Sequence, residues 1–256
     1  MLILLSPAKK LLSPEKAYSG TTSKPLFPEQ TKTLVELMKS KSVEDIAALM
    51  DLSKDLATLN FERYQEFVFD EHSPHAYPAL FLFQGDVYQG LKADAWKPET
   101  VTYAQSHLRI LSGLYGLLNP LDAIQPYRLE MGVRLANPAG KSLYDFWQST
   151  IADTLNQQLA AQKNPVVVNL ASTEYFKAVN EKKLNYPVVT INFYEHKNNQ
   201  LKIVGIHAKK ARGVMAKFLM ENQIDNPEGI KQFNELDYEF KQASSSATHF
   251  DFVRHH

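Results

Sequence analysis

Residues 107–132 constrain what this chain can fold into more than any other stretch. They read His107-Leu108-Arg109-Ile110-Leu111-Ser112-Gly113-Leu114-Tyr115-Gly116 and run on through Pro126-Tyr127-Arg128-Leu129-Glu130-Met131-Gly132. Three glycines, two prolines, two tyrosines, two arginines and a histidine sit there among aliphatic side chains. Gly and Pro weaken regular structure, and a buried arginine needs a partner. The mixture points to a segment that binds something; a tight turn between two buried elements is the plain alternative. Leu111–Gly116 has the hydrophobic-x-Gly-hydrophobic-x-Gly form of helix-hairpin-helix elements, whose backbone N–H groups approach a phosphate, although Ser112 stands where a proline is common. Arg109, Ser112, Gly113, Tyr115, Gly116 and Arg128 are therefore candidates for binding DNA or another anion, with Arg134 nearby. Glu130 either holds one arginine as a bidentate partner or serves as an acid–base group.

A second pattern lies at the ends of apolar runs. Leu2–Leu5 ends in Ser6, Lys9 and Lys10, and the β-branched run at 166–168 ends in Asn169, Ser172 and Glu174. A third run ends at His207 and is followed by Lys209, Lys210 and Arg212. In layered sheets, ligands collect where strands end and helices begin. Three cations at the start of a helix oppose its dipole, which makes sense if an anion sits between them; chance clustering on a solvated face is the alternative. From His196 to Met220 there are six Lys or Arg and no Asp or Glu, the footprint of a phosphate-bearing partner. The strand-end geometry predicts that Lys9, Asp86, Arg128, Asn169, Ser172 and Lys209 line one cavity.

The 256 residues fit a single domain, 1–256. Periodicity and capping residues predict helices over 29–39, after Ser42 and after Ser53, with Leu56, Leu59, Tyr64 and Phe67 facing inward. Between Glu29 and Glu71, ten Asp or Glu face five Lys or Arg, so this part forms an acidic wall. Strands are predicted at 2–5, 78–83 and 165–168, and a hairpin over 186–207 turns at 196–199. One helix is predicted over 143–161, a short one from Thr173 and another over 208–223, with closing strands after Phe240. These elements give an α/β (mixed α+β) fold, a mixed twisted sheet with surrounding helices.

Composition excludes several classes. There is no cysteine, so thiol peroxidase chemistry, zinc fingers, iron–sulfur clusters and disulfides are ruled out. His72 and His75 are separated by Pro74, and no helix carries a paired-histidine spacing, so no metal site and no cofactor are expected. Gly-x-Ser-x-Gly, Walker and Gly-x-Gly-x-x-Gly motifs are absent. Any reaction would use acid–base or electrostatic chemistry, with Asp86, Glu130 and Glu174 as catalytic candidates. Formal net charge is zero, no apolar run is long enough to span a membrane, and the N-terminus lacks the features of a signal peptide. A cytoplasmic location without membrane association is expected.

Taken in order, Ser6-Pro7-Ala8-Lys9, Gly85-Asp86-Val87-Tyr88-x-Gly90-Leu91, the 107–116 and 126–132 segments, Leu143-Tyr144-x-Phe146-Trp147, Asn169-Leu170-Ala171-Ser172-x-Glu174-Tyr175 and Lys209-Lys210-Ala211-Arg212-Gly213 resemble the bacterial YaaA family of peroxide-stress proteins. The resemblance spans nearly the whole chain. It implies resistance to hydrogen peroxide through limitation of free iron (iron homeostasis), an α/β fold with a helix-hairpin-helix-like element, and a basic cleft that binds DNA. One departure is Asp237-Tyr238, where a Gly-Tyr pair is expected. Two readings follow. In one, the protein binds DNA without sequence preference through Lys9, Lys10, Lys209, Lys210, Arg212 and the 112–116 turn. In the other, it is an enzyme acting on a nucleotide-like or other small anionic ligand.

Overall fold

The computed structural model describes residues 1–12, 18, 20–69, 73, 75–198 and 200–255. Its main sheet contains β1 (Leu2–Leu5), β2 (Leu108–Ser112), β3 (Gly116–Leu118), β4 (Val167–Asn169), β5 (Val188–Lys197), β6 (Gln200–Lys202), β7 (Tyr238–Phe240) and β8 (His249–His255). The strand order is β7-β8-β5-β4-β1-β2-β3, with β6 pairing to β5. The five central strands β8, β5, β4, β1 and β2 run parallel, and β7, β3 and β6 are antiparallel to their neighbours. The sheet is mixed, as the sequence predicts. β1 is aliphatic and buried at every position, as a strand covered on both faces must be. β5 alternates buried and half-buried residues, the mark of a strand with one solvated face.

Helices α1 (Pro28–Lys39), α2 (Val43–Met50), α3 (Lys54–Gln65), α4 (Asp86–Leu91), α5 (Pro98–His107), α6 (Leu143–Trp147), α7 (Thr150–Ala160) and α8 (Gly205–Glu221) surround the sheet. Ser42 and Asp45 form a reciprocal capping box on α2, and the Ser53 hydroxyl accepts from Leu56 N–H at the start of α3. The inward face of α3 differs from expectation. Ala57, Asn60 and Tyr64 are buried, while Leu56 and Leu59 are 42% and 41% exposed.

Three further elements depart from the sequence reading. The apolar run at 78–83 is split: Tyr77–Pro78 pairs with Ala123–Ile124, Ala79–Leu82 makes one helical turn, and Phe83–Gln84 pairs with Lys10–Leu11. A short apolar run suits a strand and a buried helical turn equally well, so periodicity does not separate them. The 143–161 helix is broken at Gln148, whose φ of 35° is left-handed. The break lets the Trp147 indole N–H, at the end of α6, donate to the Gly113 carbonyl at 3.0 Å. The hairpin strand expected over 200–207 stops at Lys202, because α8 begins at Gly205; Asn199 in the predicted turn lies outside the described residues, as do His72, Pro74 and His256.

The largest correction concerns the 111–116 motif. It is a β-hairpin, β2 turning into β3, and every residue from Leu108 to Leu118 is buried. No helix-hairpin-helix forms there. Gly113 is packed so tightly that a Cβ would overlap the Leu129 carbonyl, and a Cβ on Gly116 (φ 70°) would meet the Trp147 ring at 2.6 Å. The glycines serve close packing of chain on chain rather than approach to a phosphate.

Candidate functional site

The carboxyl ends of β1 and β4 lie side by side, and their following loops are tied together. Ser172 N–H donates to the Ser6 hydroxyl at 2.9 Å, and the two serine oxygens are 3.3 Å apart. Tyr88, from α4, donates its hydroxyl to the Ser6 carbonyl at 3.1 Å. Asn169, the last residue of β4, uses its side chain internally. Its Oδ1 accepts from Ala171 N–H at 2.9 Å, and its amide reaches the Thr190 hydroxyl at 3.3 Å.

Beside these loops runs the extended segment 125–131, which places Arg128 and Glu130 against the β1 loop. Glu130 Oε1 receives Arg128 Nε at 3.1 Å, Arg128 Nη2 at 3.0 Å and Lys9 Nζ at 3.1 Å. Glu130 Oε2 is buried and makes no hydrogen bond. Lys9 is 67% exposed, whereas Arg128 and Glu130 are 16% and 13% exposed. A narrow cleft here is lined by Pro7, Lys9, Tyr127, Arg128, Glu130 and Tyr175, among others. Two of its lining side chains, Tyr127 and Tyr175, are phenols. Burial pushes their hydroxyls, and that of Tyr88 on α4, well above the usual tyrosine range, which favours the neutral form. Tyr127 is held by the Ser112 hydroxyl at 2.6 Å.

The structure therefore brings Lys9 and Arg128 together and joins Ser172 to the same strand ends through Ser6, while Gly85, the residue before Asp86, packs beside Ala8. Lys10 is an exposed residue in the strand pair with Gln84. Glu174 is committed elsewhere, accepting from Gly132 N–H at 2.9 Å. Arg109, Ser112, Gly113, Tyr115 and Gly116 are not at a surface. Arg109 is buried against Gln158 Oε1 at 2.8 Å and the carbonyls of Gln105 and Leu108, and burial lowers its pKa to about 10. Its job is to satisfy polar groups inside the fold.

Of the six residues expected to line one cavity, Lys9 and Arg128 line the narrow cleft. No hydrogen bond or ion pair among the described residues ties the Lys9–Arg128–Glu130 cluster to Lys209, Lys210 or Arg212. They lie on α8, which packs against α4 by close backbone contact: a Cβ on Gly213 would overlap the Val87 carbonyl, and one on Gly90 would overlap the Lys210 carbonyl. Lys209 and Lys210 are exposed; Arg212 is largely buried, and burial lowers its pKa. The β5–β6 hairpin and the start of α8 enclose a depression of about 320 Å³ lined by Glu195, Lys197, Asn198, Gln200, Lys202, Val204 and His207. Glu195 is buried and neutralised. It accepts from Arg254 Nε at 2.9 Å and from the Tyr238 hydroxyl, and His207 lies 3.5 Å away. No side chain caps α8, and its first turn carries no acidic residue. Sequence reasoning identified the lysines, quoted Tyr88, Tyr127 and Tyr175 within its motifs without naming them as site residues, and missed Glu195. Their roles depend on partners far along the chain.

No group of three or more His, Cys, Asp or Glu among the described residues is arranged to hold a metal ion, and none of their helices is long and apolar enough to cross a membrane. A family model described as peroxide stress protein YaaA matches residues 1–244. The chain is 64% identical to a UPF0246 protein of Legionella pneumophila (strain Philadelphia 1) over all of both chains. It is 50% identical to a UPF0246 protein of Bordetella petrii over 99% of each chain. A UPF0246 protein of Alteromonas mediterranea is 46% identical, covering 99% of this chain and 98% of its own.

Proposed function

The chain belongs to the peroxide stress protein YaaA family, and from that membership we propose that it acts in resistance to hydrogen peroxide by binding DNA through phosphates. The binding surface is the β5–β6 hairpin with the start of α8. The observation that carries this reading is charge segregation. Lys197, Lys202, Lys209 and Lys210 are exposed on consecutive elements, in a stretch from 196 to 220 that contains no acidic residue. The nearest carboxylate in the depression, Glu195, is already bonded to Arg254. The uncapped start of α8 adds its dipole and N–H groups, which favour an anion. None of these groups reads a base edge, so binding is independent of sequence and steeply dependent on salt.

The test is fluorescence anisotropy on a short labelled duplex across a salt series. Removing Lys197, Lys202 and Lys209 together should weaken binding uniformly across sequences. It should also flatten the log K against log salt slope by about one for each phosphate left without its cation. A slope unchanged in that variant would show that this surface does not meet phosphates. Arg212 is left intact because its guanidinium is largely buried.

The second reading, an enzyme on a small anion, draws on Glu130. One of its oxygens holds three cationic N–H contacts while the other is buried and unpartnered. An oxygen in that state suits a substrate hydrogen-bond donor, with Lys9 and Arg128 left to meet the anionic group. Turnover of nucleotides that is lost in Glu130→Gln, in a protein showing no salt-dependent DNA binding, would favour this reading over the first.

A further inference from the structure

His196 and His255 meet at the ends of two neighbouring strands. β5 and β8 pair in parallel from Thr190 beside His249 to His196 beside His255. That register brings Nδ1 of His196 to 3.1 Å from Nδ1 of His255. The rings are tilted by 66° with their centres 4.8 Å apart, so nitrogen meets nitrogen rather than face meeting face. We propose that this pair binds a divalent transition-metal ion that favours imidazole, copper or zinc, through the two Nδ1 atoms, with water completing its coordination.

The separation suits a metal. Two nitrogens on a tetrahedral ion, each bonded at about 2.0–2.1 Å, lie about 3.3 Å apart. Two Nδ1 lone pairs so placed repel each other unless something positive lies between them, a shared proton or a metal ion. The sheet holds the spacing. Four residues earlier on each strand, the Asn192 amide donates to Asp251 Oδ1 at 2.9 Å, which ties the same face of the two strands together. Ligands carried on paired strands are positioned more precisely than ligands on loops. His255 is exposed and His196 half-buried, so an ion reaches both from solvent.

The neighbouring charges are turned away. Side chains alternate across a strand, so Glu195, Lys197 and Arg254 lie on the face opposite the two imidazoles. Glu195 and Arg254 bond each other there at 2.9 Å. Copper and zinc take imidazole readily, whereas ferrous iron stands low in the affinity order of divalent ions and is better served by a carboxylate beside two histidines. The pair therefore favours copper or zinc over iron. The sequence-based expectation of no metal site rested on histidine spacing along single elements. These two ligands are 59 residues apart and meet only when β8 is laid against β5.

The test is titration calorimetry of the full chain with copper(II), zinc and magnesium chlorides in a non-chelating buffer. Saturable binding of one copper or one zinc per chain is expected, copper the tighter, with none for magnesium. His196→Ala and His255→Ala should each weaken copper and zinc about tenfold or more. Neither side chain is fully buried, so both variants should keep the wild-type melting temperature without metal. Zinc should then raise the melting temperature of wild type and of neither variant, because it binds only the folded strand pair. Wild-type affinity in either variant overturns the proposal and moves the metal to other histidines. Absence of saturable binding to wild type overturns it as well, and leaves a shared proton between the rings.

Discussion

Gly113 lies directly against the carbonyl of Leu129, at the crossing of the buried hairpin turn and the extended 125–131 segment. The same segment continues into Glu130, whose carboxylate gathers Arg128 and Lys9. The glycine thus sets how closely the candidate cleft is pressed onto the core. Gly113→Ala would force backbone apart from backbone, and nothing flexible is present to yield. Overpacking of this kind costs about 1–3 kcal/mol, and here the upper end is expected, as a lower urea midpoint. Because the turn is buried, DNA affinity of the folded fraction should be unchanged. A variant as stable as wild type but impaired in DNA binding would restore a phosphate role to the turn.

Asp237 adopts φ 61°, directly after Leu236 at φ 57°. This left-handed geometry strains any side chain, and Asp tolerates it better than most. Glycine has no such penalty but loses more entropy on folding. The balance favours Asp237→Gly by about 0.5 kcal/mol. A thermal melt should move upward by a degree or two; a clear drop would mean that the Asp237 side chain stabilises the turn by a contact of its own. The Asp237-Tyr238 departure from the expected Gly-Tyr pair therefore keeps the turn while straining it.

His107 titrates against the fold. Burial is the main cause lowering its pKa below the ordinary 6.5; the Met1 ammonium and Arg109 add to this, while Asp225 and a hydrogen bond to the Met1 carbonyl oppose it. Nδ1 lies 2.9 Å from that carbonyl, and the ring stacks on Tyr103 at 4.0 Å. The unfolded chain takes up the proton more readily, so the stability tied to the neutral ring is present above pH 6.5. It is lost as pH falls from there through the lower folded-state pKa. The urea midpoint of wild type should drop more between pH 7 and pH 5 than that of His107→Gln. Parallel pH profiles for the two proteins would remove His107 from the acid sensitivity.

How much was legible in the sequence follows the range of the interaction concerned. Capping at Ser42 and Ser53 is written within four residues and is realised as read. The apolar run of β1 and the β-branched run of β4 likewise give central strands. The role of residues 107–132 was not readable, because Gly113 answers to Leu129 and Gly116 to Trp147, and Arg109 to Gln158. A glycine placed for close packing and one placed for an anion look alike in one dimension. The Lys9–Arg128–Glu130 cluster was half readable: strand-end logic marked the first two, while the pairing that joins them spans 119 to 121 residues.

Iron and peroxide give the sharpest test of how the protein could act. Direct reduction of peroxide by a thiol needs cysteine, and the chain has none. Tight ferrous binding commonly uses two histidines and a carboxylate on rigid elements. Four of the histidines have other partners: His107 bonds the Met1 carbonyl, His207 faces Arg254, and His196 and His255 contact each other at 3.1 Å. Glu130, the most enclosed carboxylate of the candidate cleft, is surrounded by Lys9 and Arg128, whose positive charges repel a cation. Protein purified without chelators should therefore carry well under one iron per chain by elemental analysis, and should consume negligible peroxide. The proposed role in peroxide resistance would then run through what the protein binds rather than through chemistry on the oxidant. Iron retained stoichiometrically through dialysis would overturn that conclusion and would make Glu130 a ligand despite its cationic neighbours.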